Sequence, residues 1–142
     1  MARIICAADF EAMQDKVDYW IELCDDDLRV AKNLFASRDY LWMGFICHLI
    51  VEKALKAVLA RRTDEIPPKT HHLLKLASKA NISEELSELQ KLLLAKLMPL
   101  QIEARHPEHK AKIAVALTES YCVELLKETE EFLCWIKKRL GI

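Results

Sequence analysis

The stretch from Tyr40 to Val51 constrains this chain more than any other, because it is apolar almost without interruption. A helix built from it and continued to about Arg62 is apolar nearly all round. Such a helix is stable in water only when neighbours cover it on several sides, so it is expected at the centre of a helical body. The run is too short to span a bilayer, contains His48 and stops at Glu52. The start from Met1 to Phe10 lacks an apolar core of signal length. A soluble, cytoplasmic protein with no membrane association is therefore expected.

The chain has 142 residues, 52% hydrophobic with two glycines, enough for one domain with a genuine core. A single domain over 1–142 is expected, with its core at about 12–140. Lysine plus arginine (21) nearly balances aspartate plus glutamate (22), leaving a formal charge of -1. No global field then draws the protein to DNA, so no specific DNA binding is expected and any contact with a polyanion must be local. The five cysteines, at 6, 24, 47, 122 and 134, form no C-x-x-C pair. All but Cys6 fall in apolar helical patterns, where free thiols pack as small hydrophobes, which fits a reducing compartment.

Apolar residues recur at Met13, Val17, Trp20, Cys24, Leu28, Ala31 and Leu34, a spacing that predicts a helix to about Ser37. Glu22, Asp25, Asp26, Arg29 and Lys32 occupy its opposite face. Ser37-Arg38-Asp39 breaks the pattern before the central helix, Tyr40 to Arg62. Ile66-Pro67-Pro68-Lys69 cannot continue a helix and reads as a linker. Thr70 is expected to cap a short helix from about His71 to Ala80, and Ser83, followed by two glutamates, to start another to about Leu97. Pro99 and Pro107 bracket a less regular segment. A last helix is predicted from near Thr118 to Leu140, with Cys122, Leu125, Leu126, Thr129, Phe132, Leu133 and Ile136 on one face and Gly141 as its stop. With no strand-like alternation of useful length, the chain reads as an all-α, up-and-down bundle of about five helices.

Chemistry concentrates in Ile102-Glu103-Ala104-Arg105-His106-Pro107-Glu108-His109-Lys110. Arg105 keeps its charge and can grip phosphate bidentately, while His106 and His109 can exchange protons near neutral pH. Metal-independent RNA cleavage needs a base, an acid and a positive donor for charge building on phosphate, and these three residues include the right types. A helix starting near Pro107 would add free amides to the same anion site. The alternative is structural: Arg105 paired with Glu103 or Glu108, His106 at a helix boundary and His109 solvated.

His48, Glu52 and Lys56 recur every four residues and share one side of the central helix. They make either an ion-pair ladder or a polar face toward a cleft or a dimer interface, and Lys53 is expected in solvent. His71 and His72 read as one packed and one solvated residue. A zinc site built from the histidines lacks a recognised ligand spacing, so no metal and no cofactor are expected. Trp20, Trp42 and Trp135 are expected to anchor the core or an interface rather than to stack on bases. The apolar surplus of the central helix makes a homodimer the expected assembly.

The order of Val51-Glu52-Lys53-Ala54-Leu55-Lys56-Ala57, a proline-containing linker into Thr70-His71-His72-Leu73, and Glu103-Ala104-Arg105-His106-Pro107 resembles the HEPN domain family of prokaryotes. The likeness covers about residues 12 to 140. It implies a small helical bundle that often dimerises, in many cases beside a minimal nucleotidyltransferase. Some members are metal-independent ribonucleases acting as toxins; others have no known catalysis. Arg105, His109 and His106 are the candidate catalytic residues, and Arg105, His71, Lys56 and Glu52 the candidates for binding RNA or a nucleotide. His71 falls on the family's Thr-His-Asp-Leu pattern, with His72 where an acidic residue is common. Ribonuclease members set four to six residues between arginine and histidine; here Arg105 and His109 are separated by three and His106 is adjacent. Two readings follow: an RNA- or nucleotide-binding domain with ribonuclease activity, the toxin component of a pair with a nucleotidyltransferase, or a non-catalytic dimerisation or substrate-binding partner of that enzyme.

Overall fold

The structure is a computed structural model that describes residues 6–63, 65–101 and 107–142. Among these residues it is all-helical, with α1 (Ala7–Ala36), α2 (Tyr40–Arg62), α3 (Leu73–Lys79), α4 (Glu88–Leu97), α5 (Pro107–Ala116) and α6 (Glu119–Arg139). Short 3₁₀ turns occupy Ser83–Glu85 and Met98–Leu100. Six α-helices thus stand among the described residues where about five were expected. The extra one is α5, whose few apolar side chains give no clear stripe.

The α1–α2 connection is tight. Arg38 adopts the left-handed conformation (φ 64°), the Asp39 amide donates to the Leu34 carbonyl and the Arg38 amide to that of Phe35. This is the wrapped helix end usually made with glycine. It folds α2 back antiparallel to α1, as Phe35 beside Tyr40 next to the turn and Gln14 on Arg61 at the far end both record, and between them Lys53 sits on Asp27 (2.6 Å). Lys53 is therefore an ion-pair partner across the helix interface, largely covered, and not the solvated residue expected. α6 runs antiparallel to α1, through Lys32–Glu130 and Lys137–Asp25, and antiparallel to α4, through Lys96–Glu128 at one end and Arg139 on Glu85, in the 3₁₀ turn that leads into α4, at the other. Helices α1, α2, α4 and α6 therefore alternate in direction as an up-and-down bundle.

α2 sits at its centre. From Met43 to Ala60 most of its side chains are buried, including Ile50, Val51, Ala54, Leu55, Ala57 and Val58. Val17, Ile21, Cys24 and Ala31 of α1 and Cys122, Leu125, Phe132, Leu133 and Ile136 of α6 complete the core, which agrees with the stripes read in the sequence except at Ile21, which the α1 stripe left out. Gly44 is where the 3₁₀ turn presses in: a Cβ there would lie 3.0 Å from Leu100 Cδ1.

Other local expectations shift for identifiable reasons. α1 begins at Ala7 rather than near Met13. α3 is capped by His72, whose Nδ1 accepts from the Lys75 amide, while the Thr70 hydroxyl accepts from the His72 amide one step earlier. Ser83 starts only a 3₁₀ turn. The cap of α4 is Ser87, because Gln90 completes a reciprocal capping box with it. Thr118 caps α6, and Gly141 ends it with φ 76°. Cys134 is exposed, against the expectation that it packs inward, and Trp42 is exposed, so of its two expected places it does not take the one in the core. Trp20 and Trp135 lie partly buried against the core.

Candidate functional site

After Arg62 the chain turns back and lies over one side of α2. Ile66 and Pro67 reach the level of Ala60, with which they and Tyr19 and Trp20 line a cavity. By His71 the chain has returned to the level of Glu52. The stripe made by four-residue spacing on α2 therefore meets this returning segment.

Glu52 is the hub. It is 4% exposed, and its two carboxylate oxygens are divided between partners: Oε1 accepts from His71 Nδ1 at 2.7 Å and Oε2 from Lys56 Nζ at 3.1 Å. Lys56 also lies over the Trp20 ring, 5.6 Å from its centroid, a favourable position for a largely desolvated cation. One turn before Glu52, the fully buried His48 meets the His71 carbonyl at 3.0 Å through Nε2. A carbonyl only accepts, so Nε2 carries the proton and Nδ1 holds a lone pair. That lone pair faces Glu52 at 3.8 Å and has no hydrogen-bond partner among the described residues. Burial pulls the His48 pKa down from 6.5 to about 4 despite the nearby Glu52, whose charge acts in the opposite direction. The residue is a neutral donor that fastens the linker.

Three candidate binding residues, Glu52, Lys56 and His71, thus converge, but they differ in access. Glu52 and Lys56 are covered and occupied with one another. His71 has 48% of its side chain exposed, so the pair of histidines at 71 and 72 does not divide into one packed under the bundle and one solvated. Its Nδ1–H is held by the carboxylate, and among the described residues no partner engages its Nε2. A buried carboxylate on one imidazole nitrogen fixes the tautomer and orients the ring, leaving the other nitrogen for chemistry or recognition.

Arg105 and His106 lie outside the described residues. His109 stands in the first turn of α5, which begins at Pro107. α5 lies against the α1–α2 turn, where Arg38, Tyr40, Leu41, Trp42, Lys110 and Ala114 line a groove of about 370 Å³. Trp42 is 57% exposed there. The groove also holds Asp39, which accepts from the Ser37 hydroxyl at 2.6 Å. Arg38, Trp42 and Lys110 were not among the candidate binding residues. The helix break at Ser37-Arg38-Asp39 was legible in the sequence, but its nearness to α5, more than seventy positions away, was not.

A helical bundle built on a buried central helix, with a polar stripe under its linker, defines the class. The HEPN domain family model matches residues 17–140, and the chain belongs to that family. No curated protein and no solved structure gives a significant match to it. No helix among the described residues is long and apolar enough to cross a membrane, and no cluster of potential metal-binding side chains occurs among them.

Proposed function

We propose that this HEPN domain binds RNA or a nucleotide on the side of α2 that carries Leu41, His48 and Glu52, with ribonuclease activity centred on Arg105 and His109. The observation that carries this reading is the groove between the α1–α2 turn and α5. It brings together two cations, Arg38 and Lys110, and an exposed indole, Trp42. Cations that track phosphate beside an aromatic face for a base are the ordinary components of single-strand binding. Arg105 holds phosphate just before the α5 amino terminus, whose free amides favour an anion. His109 transfers the proton, with His106 as the adjacent candidate. His71 touches the ligand, while Glu52 and Lys56 position it from beneath.

The second reading is a non-catalytic partner of a minimal nucleotidyltransferase, working as a homodimer in the cytoplasm. It is favoured by α5 itself. Of the side chains described on α5, only Ile113 is partly buried, and Val115 is 80% exposed. A helix left this bare suits an interface. The contracted spacing of Arg105 and His109 also favours this reading over the toxin ribonuclease.

The test is incubation of the protein with mixed RNA in the presence of chelator, beside the Arg105→Ala variant, with RNA binding measured on the same samples. Binding with cleavage that Arg105→Ala abolishes supports the first reading. Binding with equal, negligible cleavage leaves the partner reading. Absence of binding removes the RNA reading altogether.

A further inference from the structure

We propose that His71 is the residue by which this domain distinguishes ribose from deoxyribose, its Nε2 accepting a hydrogen bond from a 2′-hydroxyl of bound RNA. The inference rests on the RNA-binding reading above and adds a specificity contact to it. Glu52 is the positioning residue, acting only through His71.

The ring is fixed from several directions. Glu52 takes its Nδ1–H at 2.7 Å, and His48 holds the carbonyl of the same residue at 3.0 Å. The next residue, His72, is tied by the Thr70 hydroxyl at its amide and by its own cap on α3. In its neutral form the imidazole is thereby held as the Nδ1–H tautomer, which leaves the lone pair on Nε2, an atom with no partner among the described residues on a side chain that is 48% exposed. Such a group accepts and does not donate. Phosphate oxygens also only accept, so a nucleic-acid backbone offers this nitrogen a partner only where the sugar carries a 2′-hydroxyl. DNA offers none.

Location supports the contact. Glu52 lies eleven positions after Leu41, which lines the Arg38–Lys110 groove. On an α-helix that is a rotation of only about 20° and a rise of about 16 Å. The groove and His71 therefore lie along one side of α2, and a short single strand seated in the groove can extend to the exposed imidazole.

The experiment uses fluorescently labelled oligouridylate, its deoxy counterpart and its 2′-O-methyl counterpart, titrated against the full chain at about pH 8, above the ordinary histidine range. The 2′-O-methyl strand keeps the oxygen and loses the donor. The wild type is expected to bind RNA about tenfold more tightly than either analogue, the factor that one hydrogen bond of ordinary strength supplies. His71→Phe keeps a ring and loses the acceptor, and should bind all three strands alike. In Glu52→Gln, Lys56 claims the amide oxygen and turns the amide nitrogen toward Nδ1, which favours the opposite tautomer. Its preference for RNA should also disappear.

Binding of all three strands equally by the wild type, or an unchanged preference in His71→Phe, overturns the inference and leaves the RNA reading standing. Failure to bind any strand removes both. If His71→Phe does not fold, imidazole nitrogen shifts of the wild type decide the matter: a proton on Nε2 of neutral His71 overturns the proposal.

Discussion

Along one side of α2, the end near Leu41 and the middle near Glu52 treat charge in opposite ways. In the middle, Lys56, Glu52 and His71 satisfy one another beneath a returning linker, and the neighbouring His48 is kept neutral by burial. At the end, Arg38 and Lys110 line an open groove beside an exposed Trp42. The residue types overlap and the outcomes do not. What covers a cation decides whether it stabilises the fold or meets a ligand, since a desolvated charge must have a partner while an exposed one needs none.

The largest effect should come from breaking the covered set. Glu52→Ala strands Lys56 as a buried cation and is expected to cost about 3–5 kcal/mol in urea unfolding. Loss of stability no greater than that of a surface substitution would mean the two regions do not differ as described. The pH dependence is next. His48 titrates near 4 in the folded chain against 6.5 ordinarily, so between those values the unfolded chain binds the extra proton. Stability should therefore fall as pH drops from 6.5 towards 4, by about 3 kcal/mol over the full window. His48→Gln, which keeps a donor for the His71 carbonyl and does not titrate, should flatten that slope.

Arg38→Gly sharpens the contrast from the other end. Glycine relieves the left-handed backbone at φ 64°, so thermal unfolding should show a gain of up to about 1 kcal/mol, while RNA affinity falls. A variant that loses stability as well as affinity would show that the Arg38 side chain belongs to the fold. The smallest structural effect is expected for Lys110→Ala. Its melting temperature should match the wild type, while the salt dependence of RNA binding loses about one phosphate contact.

The fold was legible wherever burial imposes a period. α2 was read with the bounds it has because an almost uninterrupted apolar run lies between two breaks, and the inward face of α6 was identified because a buried stripe leaves its spacing in the chain. α5 left no such mark, since its described side chains are mostly exposed. The start of α4 was legible in principle: Ser87 precedes Gln90 by three residues, and Ser83 has Leu86 at that place. At the site, the polar stripe on α2 was visible but its destination was not. The encounter of Glu52 with His71 depends on how the chain doubles back after Arg62, which no local spacing encodes. The same holds for Lys53 and Asp27, which face each other only because α1 and α2 pack antiparallel.

The free thiols give this bundle an internal clock. Cys24, Cys47 and Cys122 are buried, and burial raises their pKa to about 12, 12 and 11, so an alkylating reagent reaches their thiolates only when the helices part. Cys6 and Cys134 are exposed and should react at once. The slow modification then times separate openings: Cys24 at the α1–α2 seam, Cys47 within α2, and Cys122 on α6. Equal slow rates would mark one cooperative unit, and a faster Cys122 would show α6 leaving first.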